Sequence, residues 1–216
     1  MSHNSASELL ILHAVRLLGF ANSEGIATRA GTSAAEVVRV LDEADTRGWV
    51  QHLGFADLEG WSLTDTGRAE NERQLAAERQ LADPENTIAT VYREFLPLNT
   101  RLVRAVTDWQ INPTSEDQFA PNDHSDPAWD GQVLNELTTL GTDLAPLVQR
   151  LTDVLTRFNG YAERYRAALR RAVDGEPDWI DKTDVDSCHR VWFQLHEDLV
   201  ATLGIDRGTE FSDDSA

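Results

Sequence analysis

The 216-residue sequence has very little cysteine, methionine or lysine, with one of each. A single Cys188 cannot form a disulfide within the chain, so a packed hydrophobic core has to hold the fold. Long apolar runs are also missing. The N-terminal run from Leu9 to Phe20 is interrupted by His13 and Arg16 and falls short of the roughly 20 residues that span a bilayer. These absences predict a cytoplasmic protein that has no membrane segment.

Positive charge is scarce. The chain carries 19 basic and 37 acidic side chains, which gives a formal net charge of −18. Because proteins bind polyanions by neutralising phosphates and releasing counterions, this balance disfavours a broad, non-specific nucleic-acid binder. It leaves room for a small local binding face.

Catalytic motifs are absent from the sequence as well. It contains no glycine-rich phosphate loop, nucleophile elbow, Cys-x-x-Cys or His-Glu-x-x-His pattern. We therefore expect a protein that is not an enzyme and that has no cofactor and no metal. His189 and His196 invite a metal interpretation, but on one helix they would lie about 10.5 Å apart along the axis. A packing helix with polar flanks is favoured there over a metal or effector site.

One segment is rich in arginine. Because the chain has many carboxylates, a solvated face that is paired within the molecule is favoured over a site for an anionic effector or nucleic acid. The cluster consists of Arg157, Arg164, Arg166, Arg170 and Arg171.

The first third of the sequence predicts three helices, a hairpin and a fourth helix. Ser33 and Glu36 form a capping-box pattern, in which the serine accepts a backbone N–H and the glutamate reaches back to the cap. A helix should therefore begin at Ala34, after a sharp turn at Gly31. The expected segments are a first helix within 9–20, helices over 24–30 and 34–47, strands over 49–53 and 61–63, and a helix over 66–81.

In the rest of the sequence, apolar residues recur only at the spacing of a helix. Pro97 should kink or split a helix over 84–109. The polar stretch 111–130 is expected to be a flexible acidic loop. Further helices are expected over 132–140, 143–157, 161–173 and 184–203.

Three helices followed by a hairpin and a helix is the element order of a winged helix-turn-helix. The segments that carry this order also resemble the MarR-like bacterial regulators. Gly25–Leu41 and Arg47–Val50 are similar to their helix-turn-helix, and Trp61–Arg68 is similar to the exit from their wing. The predicted fold class is mainly α, with a winged helix-turn-helix and its two-stranded wing over 8–82. An all-α dimerisation or effector domain is expected over 84–207.

The resemblance implies a transcriptional regulator that binds double-stranded DNA. In helix-turn-helix proteins the first turns of the second motif helix contact base edges, while other groups contact phosphates. The predicted DNA contacts are Ser33, Ala35, Arg39 and Arg68. A homodimer is expected because one short helix seldom supplies enough affinity. A small-molecule effector is left open as a further partner.

Arg39 and Glu36 each have a second interpretation. The Arg39 guanidinium could contact a base or phosphate, or it could form an ion pair with Asp42, Glu43 or Glu36. Glu36 could accept from a cytosine amino group, although its place in the capping box is favoured.

The predicted wing departs from the family pattern. Its loop, Phe55–Glu59, carries two carboxylates where the family usually has basic residues. The alternative hypothesis is therefore a winged-helix adaptor that does not bind DNA. Such an adaptor would contact another protein through its acidic surface and through Phe55 and Leu58.

Overall fold

The structure is a computed structural model that describes residues 2–55, 58–114 and 116–205. Within these ranges the chain forms nine α-helices and one antiparallel two-stranded sheet, which confirms the predicted mainly-α class. The elements are α1 (Ser7–Leu18), α2 (Ser23–Ala30), α3 (Ala34–Thr46), β1 (Val50–Phe55), β2 (Leu58–Leu63), α4 (Asp65–Ala82), α5 (Thr87–Gln110), α6 (Pro127–Val154), a 3₁₀ turn (Thr156–Phe158), α7 (Tyr161–Val173), α8 (Asp178–Asp181) and α9 (Cys188–Leu203). No helix in the described part of the chain is both long and apolar enough to cross a membrane.

The chain divides into two compact units. The described part of the first unit comprises residues up to 85 together with 155–157 and 196–205. The second unit comprises 86–154 and 158–195. The winged-helix arrangement and the domains proposed over 8–82 and 84–207 remain predictions.

The core of the first unit lies among α1, α2, α3 and the base of the hairpin. Its apolar residues recur at helical spacing, so each helix buries one face. The strands pair from Val50 opposite Leu63 to Phe55 opposite Leu58. Ala21 and Trp61 exchange two backbone hydrogen bonds, of 3.2 and 2.8 Å, which fix the chain after α1 to the hairpin. Members of this core with no exposed surface are Ile11, Leu12, Val15, Ile26, Val37 and Leu41.

The start of α4 packs tightly against the turn between α3 and β1. The Thr64 hydroxyl donates to the Gly48 carbonyl at 2.6 Å, and its oxygen accepts from the Gly67 N–H at 3.0 Å. A Cβ on Gly67 would lie 1.7 Å from the Trp49 carbonyl oxygen, so only glycine fits at this approach. The junction fixes where the hairpin ends and α4 begins.

The second unit is built on the long helices α5 and α6, with α7 beside α6. The Trp192 and Phe95 rings are stacked with centroids 5.1 Å apart, and the Trp192 Nε1 donates to the Asn99 Oδ1 at 3.1 Å. The Tyr165 hydroxyl donates to the Leu137 carbonyl at 3.0 Å. The indole N–H of Trp192 and the hydroxyl of Tyr165 are thus both hydrogen-bonded within an apolar core.

Two helices of the structure contain an internal proline and have other bounds than the sequence predicted. Pro97 lies within α5, which is one continuous helix and begins at Thr87. Pro146 lies within α6, which covers the predicted helix 132–140 and all but the last three residues of the predicted helix 143–157. The predicted break between those two helices was wrong. Each proline removes one backbone bond, but these helices bury long apolar stripes, and that packing outweighs the loss.

The polar loop is shorter than predicted. The Asp126 carboxylate accepts from the Ala128 N–H at 2.9 Å and caps α6, with Pro127 as its first residue. Residues 127–130 of the predicted loop are therefore helical. Backbone hydrogen bonds from Asn112 to Ala120 and from Asn122 to Gln110, of 3.0 and 2.8 Å, tie the ends of the loop together.

Candidate recognition face of helix α3

Helices α2 and α3 are joined by a tight turn. At Gly31 the backbone is left-handed, with φ of 65°, so the chain leaves α2 sharply. The Ser33 Oγ then accepts from the Glu36 N–H at 3.2 Å and caps α3, as the sequence predicted. The Glu36 carboxylate, however, accepts from Arg39, so the reciprocal bond predicted for the capping box is replaced by an ion pair.

One side of α3 is buried and the other faces solvent. Val37 and Leu41 have no exposed surface, whereas Val38 is 47% exposed. Three of the four predicted DNA contacts, Ser33, Ala35 and Arg39, lie on the outward side. We call this side the α3 face; its exposed residues are Ser33, Ala34, Ala35, Val38, Arg39, Asp42, Glu43, Asp45 and Thr46.

Arg39 is held between two carboxylates on this face. Its Nε and Nη2 donate to Glu36 at 3.0 and 2.8 Å, and its Nη1 donates to Glu43 at 2.6 Å. The hydrogen bonds lower the pKa of Glu36 and raise the pKa of Arg39. Of the two interpretations of Arg39, the structure therefore contains the ion pair.

Arg68, the fourth predicted contact, belongs to a different group of side chains. It lies in the first turn of α4, where its Nη1 is 4.0 Å from the Glu197 Oε1. The same Glu197 oxygen accepts from the Arg16 Nε at 2.8 Å. The structure thus joins Ser33 and Arg39 through Glu36, and places Arg68 with α1 and α9.

Two further arginines near the predicted DNA surface also have acidic neighbours. The Arg29 Nη2 lies 4.0 Å from the Asp198 Oδ2, and the Arg29 side chain is 16% exposed. The Arg47 Nη1 lies 3.5 Å from the Glu8 Oε2, and its guanidinium stacks over the Trp49 ring. Each arginine of the predicted surface thus has a carboxylate within reach.

Helix α3 as a whole carries negative charge. Four carboxylates and one guanidinium lie between Ala34 and Thr46, so its formal charge is 1 − 4 = −3. Phosphates approaching this face would meet more carboxylate than guanidinium, and the attraction that drives DNA association would be weak. A basic surface approaching the same face would be attracted.

A second group of charged side chains is buried inside the first unit. The Arg157 Nε donates to Glu78 at 3.1 Å, its Nη2 donates to the Thr202 hydroxyl at 2.6 Å, and its Nη1 donates to Asp198. The His13 Nε2 lies 3.0 Å from the Asp198 Oδ1. The four ionisable side chains are each at most 5% exposed. We call these five residues the Asp198 cluster.

The Asp198 cluster stabilises a buried carboxylate. Burial by itself would raise the pKa of Asp198, but the positive charge of Arg157 and the contact with His13 outweigh burial and hold that pKa well below its usual range. Because its members are closed to solvent, the cluster supports the fold and does not form a binding site.

The other candidates from the sequence do not assemble a site. In the described ranges, no group of His, Cys, Asp and Glu side chains is placed to hold a metal ion. Burial lowers the pKa of His189, the histidine at the start of α9. Cys188 is buried, and burial raises the pKa of its thiol to about 12, which makes it unreactive. The side chains of Phe55 and Leu58, which the adaptor hypothesis used, lie outside the described residues.

Sequence reasoning missed Glu197 and Asp198 as partners of the arginines. Both lie on α9, far along the chain from Arg16, Arg29 and Arg157. The one signal available was a pair of adjacent acids within a strongly apolar helix, which is costly unless both are paired.

Comparison with known proteins returns no match: no family model, no curated protein and no solved structure is similar to the chain. The class that the fold defines is a mainly helical protein with a single two-stranded sheet in its described part. The α3 face and its charges are therefore the basis of the function proposed below.

Proposed function

We propose that this chain is an interaction adaptor whose α3 face binds a basic surface on another protein. The observation that carries the proposal is the pairing of Arg39 with Glu36 and Glu43 on a helix of formal charge −3. With its one guanidinium matched by two carboxylates, the face presents surplus negative charge at Asp42 and Asp45. Complementary charge on the partner would steer association and fix its orientation.

The partner's surface should combine cations with an apolar side chain. Val38 is 47% exposed at the middle of the α3 face. Ala35 and Asp42 lie three residues before it and four residues after it, so all three share one side of the helix. A lysine- or arginine-bearing helix with a small apolar contact would match this pattern.

Site-specific cross-linking tests the adaptor proposal. Benzoylphenylalanine in place of Val38 should yield a defined protein adduct in cells, while the same residue in place of Val173, which is 57% exposed on α7, should not. The captured protein, once purified, should bind the unmodified chain. Asp42→Asn/Asp45→Asn should weaken that binding about tenfold, with a smaller effect at high salt.

Failure of that experiment has a definite form. If the captured protein binds the double variant as tightly as the unmodified chain, charge on the α3 face does not select the partner. If Val38 and Val173 give the same adducts, the face is not a specific surface. Either result contradicts the adaptor proposal.

The second candidate is a homodimeric DNA-binding transcriptional regulator. It is supported by the exposed positions of Ser33, Ala35 and Arg39 on α3, after the tight turn at Gly31. The Arg39 side chain is 54% exposed, and exposed ion pairs are weak, so a phosphate could displace its carboxylates. The mainly negative α3 face is the observation against this candidate.

A mobility-shift assay separates the two candidates. The probe is a labelled fragment of the DNA upstream of the protein's own gene. A DNA-binding regulator should bind it, should lose about tenfold in affinity on Arg39→Ala, and should gain affinity on Glu36→Gln/Glu43→Gln. Arg73→Ala is the matched control, because Arg73 is an exposed arginine paired with Glu70 on α4. The adaptor proposal expects no shift with any of these proteins.

A further inference from the structure

Helices α5 and α6 of the second unit enclose a surface pocket of about 320 Å³. Its lining includes Arg101, Arg104 and Asp108 from α5, and Trp129, Val133 and Glu136 from α6. This volume lies at the lower end of the range for small-molecule sites. We call this cavity the α5–α6 pocket.

The pocket has a rigid apolar wall. The Trp129 Nε1 donates to the Asp108 carbonyl at 2.6 Å, which holds the indole in place. Val133 is 5% exposed and forms part of the apolar lining. A flat or branched apolar group of a ligand would find preformed contacts here.

The two arginines of the pocket are held very differently. Arg101 donates to Glu136 at 2.7 Å and to Asp143 at 3.0 Å, so two carboxylates already match its charge. The Arg104 Nε lies 3.7 Å from the Asp108 Oδ2, beyond hydrogen-bonding distance, and its side chain is 84% exposed. The loosely associated pair of Arg104 and Asp108 can therefore exchange partners.

We propose that the α5–α6 pocket binds a small zwitterion with an apolar side chain, of the class of the apolar and aromatic α-amino acids. The ligand carboxylate binds Arg104, the ligand ammonium binds Asp108, and the side chain packs on Trp129 and Val133. Binding replaces one loose ion pair with two charge-assisted contacts, which is the source of affinity. The proposal is independent of the function of the α3 face.

Charge selects a zwitterion over a simple anion or cation. Two guanidinium groups and two carboxylates line the pocket, so their formal charges sum to zero. A ligand with only a carboxylate leaves Asp108 without a cation, and a ligand with only an amine leaves Arg104 without an anion. Phosphates carry more negative charge and would be repelled by Asp108 and Glu136.

Calorimetric titration of the full chain tests the proposal. The probes are L-phenylalanine, L-tryptophan and L-leucine, with phenethylamine and 3-phenylpropanoate as analogues of phenylalanine that lack one charge. At least one amino acid should bind with a Kd of about 1 mM or tighter. If phenylalanine binds, each of its analogues should bind at least about tenfold more weakly.

Two variants locate the site. Arg104→Gln and Asp108→Asn should each weaken binding of the amino acid at least about tenfold. Arg93→Gln should leave it unchanged, because Arg93 is an exposed arginine of α5 that does not line the pocket. Circular dichroism of each variant checks that its helices are intact.

Three results would overturn the proposal. The first is that none of the three amino acids gives a heat of binding at concentrations up to about 10 mM. The second is that one of the phenylalanine analogues binds as tightly as phenylalanine itself. The third is that the Arg104→Gln variant binds the amino acid as tightly as the Arg93→Gln variant does. Each is a statement about the pocket alone and leaves the adaptor proposal unaffected.

Discussion

Arg157 is the residue whose loss we expect to destabilise the protein most. Its guanidinium bonds Glu78 and Asp198, and all three side chains are buried. Arg157→Met would remove the guanidinium that bonds both buried carboxylates, leaving Asp198 with His13 and the more distant Arg29. The loss should lower the free energy of unfolding by about 3–5 kcal/mol. Urea denaturation followed by circular dichroism would measure the change.

Arg150→Met is the control for that prediction. Arg150 also forms a two-bond ion pair, with Glu94, but both partners are exposed to solvent. Because water screens an exposed pair, its loss should cost much less than the loss of Arg157. Equal destabilisation by the two variants would show that burial of the Asp198 cluster contributes nothing to its strength.

Because the pKa of Asp198 is lowered by folding, the free energy of unfolding should depend on pH in the acid range. In the unfolded chain the pKa of this carboxyl is about 3.9, which is above its pKa in the folded protein. The resulting stabilisation is complete above that pH and is lost as the pH falls below about 4. Urea unfolding measured between about pH 3 and 6 should show this slope, and Asp198→Asn should flatten it. A slope that survives unchanged in the variant would assign the acid sensitivity to other carboxylates.

Ion pairs can be predicted from the sequence only where the partners are close along the chain. Glu36, Arg39 and Glu43 lie within two turns of one helix, and the sequence predicts their ion pairs as an alternative to a DNA contact. The partners of Arg157 lie 79 and 41 residues away. No local spacing encodes such contacts, because they depend on which helices pack together.

At the level of elements, the junction of the hairpin with α4 depends on Gly67. Alanine usually stabilises a helix relative to glycine. At Gly67 the added Cβ would lie 1.7 Å from the Trp49 carbonyl oxygen, so the backbone would have to move. Gly67→Ala should therefore destabilise the protein, by about 1–3 kcal/mol or more.

Gly25→Ala provides a closely matched control in thermal unfolding. Gly25 and Gly67 are each the third residue of a helix, and each N–H donates to the side chain of the capping residue. A Cβ on Gly25 would be 3.4 Å from its nearest neighbour, an ordinary contact. The melting temperature should fall for Gly67→Ala and stay near that of the unmodified protein for Gly25→Ala. Similar values for both would contradict the close approach.

The sequence predicted most elements because their signals are local. Tyr161–Val173 was predicted with the bounds that α7 has, and the Ser33 cap placed the start of α3 correctly. The errors fell where packing outweighs local preference. The predicted break at residues 141–142 lies inside α6, which is one continuous helix and buries seven apolar side chains.

At the level of the whole molecule, the first unit draws on three separate parts of the chain. Leu9 and Leu75 pack with Ala201, which lies on α9. Glu78 and His13 have their charged partners in the segments 155–157 and 196–205. On their own, the first 85 residues would therefore lack the apolar contact on Leu9 and Leu75 and the charged partners of Glu78 and His13, because other parts of the chain supply both.

A fragment ending at residue 85 should consequently fail to form a cooperatively folded domain. In it, Leu9 and Leu75 would be exposed, and Glu78 would lie in an apolar setting without Arg157. We expect reduced helicity by circular dichroism, a broad thermal transition and narrow dispersion of amide NMR signals. The full-length Arg157→Met variant should also be less stable, but it keeps Ala201 packed on Leu9 and Leu75. Comparing it with the fragment therefore separates the contribution of the buried charges from that of the apolar contacts. A sharp transition of the fragment near that of the intact protein would instead establish residues 8–82 as an autonomous domain, because a cooperative transition requires a complete core.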